Sequence, residues 1–405
     1  MRESALRLGV RPRAAALAAI AVAIGACAPA AKTPAAPRRS LAVSFVAAQL
    51  AEQDKPSDQA LAAMLDVVDA SAAEDPARPE AFEACAAALD AIAFRRTVGL
   101  DLSGREALAF RTSAGVATAM QRLDAAWNRA RGGALRPLIA RAGLSLAMFR
   151  GDETAAATWR ARSGCVRAAT VAGPLHWAAL GQLSAPLSLE TPSTALPSSW
   201  PGLPPFGADA RPQLVEADGC ELGTQGASAA VGLRVAVVDV ESSAERPLWI
   251  GLTSTSAAVV SVGGTTVLQR PFHAGPSRVT RMARVEVGAG RARIVVKVAQ
   301  RDDGDSVVLT VADGEGRPVA TKAPSPGDVA PARGSDVGAV GMEVPGAGAD
   351  ALVLAASARM AMGDGRDAER LLEGFARDPG ASGLAVLSYA RALSVGSAMP
   401  ETRRI

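Results

Sequence analysis

Histidine, aromatic side chains and long apolar runs are scarce in this chain of 405 residues, and each scarcity argues against a class of function. The two histidines, His176 and His273, do not stand at metal-ligand spacing, so a histidine-based metal site is excluded. Aromatic residues make up 3% of the chain, which leaves few platforms for stacking on a sugar. The sequence lacks a nucleophile elbow, a Walker phosphate loop and a dinucleotide-binding glycine motif. We therefore expect no catalysis and no cofactor.

The charge balance is mildly basic and argues against nucleic acid as a partner. There are 43 Lys and Arg against 40 Asp and Glu, which gives a net charge of +3, and no basic patch stands out. Hydrophobic residues make up 49% of the chain, enough for two or three domains with their own cores. These figures are typical of a multidomain globular protein.

The first 26 residues are typical of an export signal. Arginines in the first 13 residues precede an uncharged run at 14–26. A membrane-spanning helix needs about 20 apolar residues, so this run is too short to span and suits a signal peptide. The signal peptide is predicted at 1–26, followed at 27–40 by a flexible tether rich in Ala and Pro.

The end of the signal run, Ile24-Gly25-Ala26-Cys27, resembles the bacterial lipobox. The resemblance implies cleavage before Cys27 and lipidation of Cys27, and several acyl chains would anchor the chain stably. It places the protein at the membrane of a Gram-negative envelope, in the periplasm or the outer membrane. An ordinary signal peptide, cleaved without lipidation, is the alternative.

Residues 41–164 carry apolar residues at helical spacing. The stripes are Ala60, Leu61, Met64, Leu65 and Val68; Phe82, Cys85, Leu89 and Ile92; Val116, Met120, Leu123 and Trp127; and Leu138, Ile139, Leu146 and Phe149. Paired amphipathic helices that bury their stripes against neighbours are typical of helical-hairpin repeats. The segment is therefore predicted to be an α-helical, repeat-like domain.

Between 246 and 320 apolar and polar residues alternate in short segments separated by turns rich in Gly and Asp. Ile294 and Val296 fall on one face of a predicted strand, while Arg293 and Lys297 fall on the other, so the strand should be half buried with both cations in water. About six such strands with no intervening helix favour an antiparallel β-sandwich or jelly roll. The predicted fold class is multidomain α + β.

Several segments carry a resemblance to a known family. They are Val171-Ala172-Gly173-Pro174, the run from Val259 to Val267 through Gly263-Gly264, and Val285-Glu286-Val287-Gly288. They resemble the galactose-binding-like jelly-roll module embedded in tetratricopeptide-repeat proteins of myxobacteria. The resemblance covers about 150–320 and implies a β-sandwich domain at 165–320, interrupted by a Pro-rich excursion at 183–212.

The last part of the chain is predicted to contain a linker and a short helical region. Residues 321–349, rich in Pro, Gly, Ala and Asp, are predicted to be a linker, and 397–405 a tail. Within 350–396, Gly363-Asp364 and Asp378-Pro379 resemble one tetratricopeptide repeat. Since about three repeats are needed for a stable stack, this end docks on the rest of the chain, docks on a partner, or belongs to a longer family. We prefer the third alternative, in which the chain is a shortened member of a family with more repeats.

The cysteines allow one disulfide and do not require it. Cys165 and Cys220 flank the Pro-rich excursion, and an exported location permits disulfides, so this pairing is preferred. Two buried free thiols are the alternative, because four cysteines without a recognisable framework specify no connectivity. Cys85 lies on an apolar stripe and should be packed in the core.

Two functional hypotheses remain. The first is a non-catalytic, lipid-anchored cell-envelope scaffold that binds a protein partner as yet unidentified. The second is a carbohydrate-binding module displayed at the membrane, for which Trp249 and Phe272 are the aromatic residues nearest the predicted strands.

Overall fold

The structure is a computed structural model. It describes residues 41–54, 58–73, 79–97, 111–130, 133–177, 179–190, 198–204, 208–217, 219–223, 231–270, 279–300, 306–336, 349–361, 365–376, 385–386, 388–390 and 392. All of them belong to one compact unit, Ser40–Ile405. The predicted signal peptide, tether and tail lie outside the described residues.

Nine helices occur within the described residues, and a 3₁₀ turn is present at Ser188–Glu190. The helices are α1 (Leu41–Asp54), α2 (Asp58–Ala73), α3 (Pro79–Thr97), α4 (Ala114–Arg129), α5 (Leu135–Arg150), α6 (Glu153–Arg162), α7 (Ala179–Gln182), α8 (Ala349–Ala361) and α9 (Gly365–Ala376).

Local sequence signals determine where some of these helices begin and end. The Ser113 side chain accepts a hydrogen bond from the backbone N–H of Val116 and caps α4. Asp152 caps α6 in the same way, by accepting from the N–H of Ala155. Between α5 and α6 the chain turns at Gly151, whose φ of 74° is the left-handed conformation that favours glycine. Because this connection between α5 and α6 is short, the two helices pack side by side.

The helices share one core, into which their predicted stripes point. Its fully buried members include Leu89, Leu123, Ile139 and Leu146. Helix α8 packs against α1 and α3, and there Arg359 forms an ion pair with Glu83 at 3.8 Å. The C-terminal helices therefore dock on the rest of the chain, one of the three expected arrangements.

Twelve strands occur in the described residues: β1 (Ala168–Ala172), β2 (Gln213–Glu216), β3 (Leu222–Gly223), β4 (Gly232–Ser242), β5 (Arg246–Ser254), β6 (Ala258–Val262), β7 (Thr265–Arg270), β8 (Val279–Val287), β9 (Gly290–Gln300), β10 (Ser306–Asp313), β11 (Thr321–Lys322) and β12 (Ala332–Asp336). Sheet I has the order β2-β1-β4-β9-β6-β7, with β11 also paired to β4; sheet II has the order β12-β8-β5-β10-β3. The pairings are antiparallel, which confirms a mixed α + β protein.

An apolar core lies between the two sheets, which together we call the sandwich. Val238, Ile294 and Val296 enter it from sheet I, and Ile250 and Val285 enter it from sheet II. All are fully buried. The predicted inward face of β9 is therefore the face that packs into this core, because alternation along a strand separates the two faces.

The outer faces of the sandwich are covered as well. On sheet II, Met282 and Val308 belong to the core of the helices. On sheet I, Val237 and Val295 pack against Leu189 and Trp200 of the Pro-rich excursion. The described chain is thus layered as helices, sheet II, sheet I and excursion.

The prediction of a half-buried β9 was therefore wrong. Arg293 and Lys297 are each only 2% exposed, although alternation places them on the face opposite the core. The alternation identified the two faces correctly, but it carries no information about the distant segments that cover the second face, the excursion at Lys297 and the segment around Ser325 at Arg293. Each buried cation has a carboxylate partner, Asp239 for Arg293 and Glu190 for Lys297.

The predicted linker at 321–349 is also corrected by the structure. Its first part contains β11, which pairs with β4, and β12, which pairs with β8. Between these strands the Ser325 N–H donates to Asp239 at 2.9 Å, and Arg293 donates to the Ser325 carbonyl at 2.6 Å. Composition did not reveal this attachment, because the groups that hold the segment lie on β4 and β9. Residues 337–348 lie outside the described residues.

Cys165 and Cys220 form a disulfide with a Cα–Cα distance of 5.4 Å. Strand β10 brings them together: Cys165 forms a β-bridge with Thr310, and β3, which follows Cys220, pairs with the start of β10. The structure thus joins the two cysteines that were paired from the sequence. Cys85 is a buried free thiol.

Candidate ligand-binding cleft

A cleft of about 240 Å³ opens at the edge of sheet I, beside β1 and β2. The end of β1 and the loop after it form one wall, the chain leading into β2 forms the other, and a side chain from β4 closes one side. The lining residues are Val171, Ala172, Gly173, Pro174, Trp177, Ala208, Asp209, Ala210, Arg211, Gln213 and Arg234.

Backbone hydrogen bonds hold the first wall in place. The N–H of Leu175 donates to the carbonyl of Leu233, and the N–H of Leu233 donates to the carbonyl of His176, each at 2.7 Å. Gly173 has a φ of 143°, and a Cβ there would lie 2.9 Å from the Leu233 carbonyl oxygen, so only glycine fits this close approach. Trp177 follows directly after this anchored segment, and its residue surface is 54% exposed.

The second wall is formed by two short chain segments that pair in an antiparallel β-bridge. Trp200 and Ala210 exchange two backbone hydrogen bonds, at 2.7 and 2.9 Å. The Asp209 carboxylate accepts a further bond from the N–H of Gly202 at 3.0 Å. Trp200 is fully buried against sheet I, so it ties this wall to the sandwich. The wall is therefore a supported surface, from which Arg211 extends into solvent.

A buried ion pair holds the excursion, which includes this second wall, against sheet I. Lys297 donates to Glu190 at 3.1 Å and to the carbonyl of Ala185 at 2.9 Å. The other carboxylate oxygen of Glu190 accepts from the Ser261 hydroxyl at 2.7 Å. The residues of β9 and β6 that lie under the excursion thus hold its first part against sheet I.

The charges around the cleft are two guanidinium groups and one carboxylate. Arg234 is buried and donates to the Gly173 carbonyl at 3.3 Å. Arg211 is exposed and forms no ion pair within the described part of the chain. Among the described residues, the cleft therefore combines an exposed indole with two guanidinium groups and several other groups able to form hydrogen bonds.

The aromatic residues predicted as glycan contacts do not form this site. Trp249 is half buried, packs against the helical core and donates its indole N–H to the Gly314 carbonyl at 3.2 Å. A glycan contact at Trp249 stays a prediction, although β5 lies inside sheet II and the helices pack on the outer face of that sheet. Phe272 and the predicted lipidation site, Cys27, lie outside the described residues.

The sequence contains a signal for Trp177, although no site was predicted there. It stands in a loop immediately after the strand segment Val171-Ala172-Gly173-Pro174, where no periodic pattern requires an aromatic residue. An aromatic residue outside any stripe deserves consideration as a surface platform. Its exposure could not be deduced, because the excursion could equally have covered it.

A second polar cluster connects the helices to sheet II. Arg141 of α5 donates to Asp90 of α3 and to the hydroxyls of Thr253 and Thr280, the last at 3.1 Å. Thr280 also donates to Asp90 at 2.7 Å. All four residues are buried. The cluster supplies directional contacts within an otherwise apolar interface, so it specifies how helices and sheet are oriented.

Comparisons of the chain with protein-family models, with curated proteins and with solved structures gave no match. Among the helices of the described residues, none has the length and hydropathy needed to cross a membrane. The same residues contain no group of three or more His, Cys, Asp or Glu side chains arranged to hold a metal ion.

Proposed function

We propose that this protein is a non-catalytic, lipid-anchored scaffold of a Gram-negative cell envelope, which presents helical repeats and a β-sandwich to a protein partner. The observation that carries the proposal is the buried cluster of Arg141, Asp90, Thr253 and Thr280. A scaffold must hold its binding surfaces in a constant relative orientation, and this cluster links the two kinds of surface. The Cys165–Cys220 disulfide adds a covalent link at the junction between α6 and the sandwich.

The order of the elements supports the resemblance to tetratricopeptide-repeat lipoproteins with a galactose-binding-like jelly roll. From β4 to β10 consecutive strands alternate between the two sheets, except at the hairpin of β6 and β7. Such alternation is how a jelly roll distributes its strands. Helices α2 and α3, and α8 and α9, pack as successive pairs, the arrangement of tetratricopeptide-like hairpins.

The membrane part of the proposal is tested by the modification of Cys27. The full chain and Cys27→Ser are produced in a Gram-negative host, and the N-terminal peptide and membrane fraction are analysed by mass spectrometry and immunoblotting. We expect an acylated Cys27 and a membrane-bound protein, both lost in Cys27→Ser. An N-terminus cleaved elsewhere, with Cys27 unmodified, would refute the lipid anchor.

The scaffold part is tested by cross-linking in intact cells. A specific protein should be cross-linked to the wild-type chain at the membrane and should be recovered less from cells with Cys27→Ser. Cross-linking that recovers no specific protein, together with turnover of a substrate by the purified chain, would refute the scaffold.

Carbohydrate binding is the second candidate, and the Trp177 cleft favours it. Sugar sites combine an aromatic face with a few polar groups that fix the orientation of the ring. Trp177 supplies such a face, and Arg211 and Gln213 supply polar groups beside it. A glycan array with wild-type protein, Trp177→Ala and Leu214→Ala tests the proposal. Leu214 is an exposed apolar residue of β2 outside the cleft lining, so it serves as the control.

We expect array signals that disappear in Trp177→Ala and persist in Leu214→Ala. An array without signals for the wild-type protein would reject carbohydrate binding. Equal loss in both variants would show that the signals depend on general surface hydrophobicity.

A further inference from the structure

We infer that the Trp177 cleft selects an acidic saccharide, in which a sugar ring carries a carboxylate. The inference rests on carbohydrate binding at this cleft, and it adds the chemical class of the ligand.

Arg211 provides a guanidinium group that no described carboxylate neutralises in an ion pair. Arg211 is exposed, lines the cleft and forms no ion pair in the described part of the structure. A guanidinium presents paired N–H donors that match the two oxygens of a carboxylate, and it binds a carboxylate more strongly than a neutral hydroxyl. A ring that stacks on Trp177 with its carboxylate toward Arg211 would use both groups together.

The net charge of the lining is the second argument. Asp209 is the one carboxylate among the described residues of the lining, and the N–H of Gly202 already donates to it. Arg234 contributes a second positive charge from a buried position, where solvent screens it less than it screens an exposed charge. Among the described residues, a carboxylate in the cleft therefore meets two guanidinium groups and one carboxylate, whereas a neutral sugar gains little from their charges.

The size of the cleft is the third argument. About 240 Å³ is below the usual range of 300–1,000 Å³ for the pockets of small-molecule ligands. It suits a single sugar ring with its substituents. The cleft lies at the edge of sheet I, so the rest of a saccharide chain has room to extend into solvent.

The experiment compares pairs of ligands that differ in the carboxylate alone. Methyl β-glucuronide and methyl β-glucoside, and the corresponding galacturonide and galactoside, are titrated into the full chain by ligand-observed NMR, with tryptophan fluorescence as a second readout. We expect each acidic ligand to bind at least about tenfold more tightly than its neutral partner, a conservative value for a hydrogen bond to a charged group. This preference should decrease as salt is added.

Three variants test the source of the preference. Arg211→Gln should weaken binding of the acidic ligands about tenfold and leave the neutral ligands unchanged. Asp209→Asn keeps an oxygen that can accept from Gly202 but removes the negative charge, so acidic ligands should bind as tightly as before or more tightly. Arg333→Gln is the matched control, because Arg333 is an exposed arginine of β12, the strand at the edge of sheet II opposite β3.

The outcomes separate the inference from the function on which it rests. If both ligands of a pair bind equally and Trp177→Ala abolishes both, carbohydrate binding stands and the inference is overturned. If no saccharide binds, both are overturned. If Arg333→Gln weakens binding as much as Arg211→Gln, the preference comes from net charge, which also overturns the inference. Thermal unfolding of each variant verifies that it is folded.

Discussion

Replacing Arg293 by alanine should strongly destabilise the protein, although the alternation of β9 marks this residue as a surface position. Arg293 donates to both carboxylate oxygens of Asp239, at 2.9 and 3.2 Å, and to the carbonyl of Ser325 at 2.6 Å. Its removal leaves the Asp239 carboxylate in a site that solvent hardly reaches. Breaking a buried ion pair by removing one partner costs about 3–5 kcal/mol.

The remaining contacts of Asp239 place the expected value at the lower end of that range. The N–H of Ser325 still donates to the carboxylate, and Arg291 stays 3.5 Å from it. We therefore expect Arg293→Ala to lower the free energy of unfolding by about 3 kcal/mol. Arg284→Ala is the control. The Arg284 side chain is 56% exposed, and its guanidinium forms an ion pair with the Glu286 carboxylate at 3.3 Å on the protein surface. Such surface pairs contribute about 0–1 kcal/mol.

Urea denaturation, followed by tryptophan fluorescence and by circular dichroism, measures both values. The double variant Asp239→Leu with Arg293→Met should be less destabilised than Arg293→Ala, because it leaves no unpaired charge on β4. Equal and small effects of Arg293→Ala and Arg284→Ala would refute the buried ion pair. A double variant as unstable as Arg293→Ala would show that lost packing, not the unpaired charge, is responsible.

Three further predictions concern the core and the cysteines. Ile294→Ala should lower the free energy of unfolding by about 2–5 kcal/mol in the same urea assay, and a negligible change would contradict its inward orientation. Replacing Cys165 and Cys220 by serine opens a loop of 55 residues and should cost about 4 kcal/mol, whereas thiol titration showing both cysteines reactive before reduction would exclude the disulfide. Burial raises the pKa of the Cys85 thiol from 9.0 to about 12, so alkylation at pH 8 should label it in the unfolded chain and spare it in the folded one. Because the pKa of this thiol is higher in the folded state than in the unfolded state, the stability associated with it is fully present below pH 9.0 and is lost as the pH rises toward 12. The free energies of unfolding of wild-type and Cys85→Ala protein, measured with urea across this pH window, should therefore converge.

The elements whose formation depends on neighbours in sequence were predictable. The stripe through Leu89 and the stripe through Leu123 both enter the helical core, since a period near 3.6 residues directs side chains to one side of a helix. The alternation through Ile294 likewise identified the inner face of β9. The sequence left the cysteine pairing open between a disulfide and two free thiols, and only the structure joins Cys165 to Cys220.

The position of the cleft and its exposed aromatic residue could not be predicted from the sequence. Scarcity of aromatic residues directed attention to those near strands, which led to Trp249. That residue is half buried because the helices pack on the outer face of sheet II, where α3 and α5 supply Asp90 and Arg141. Trp177 was recognised only from the structure, where it remains exposed although residues of the excursion line the same cleft.

A chain's periodicity reports which residues share a face, because that depends on backbone geometry over a few residues. For this protein it was enough to assign helices, the inner strand faces and a mixed α + β class. Which faces meet solvent depends on segments far away: Lys297 is buried because Glu190 and the excursion, 107 residues earlier, lie over it. The attachment of Ser325 and the exposure of Trp177 have the same origin, since only the packing of distant segments determines where water remains.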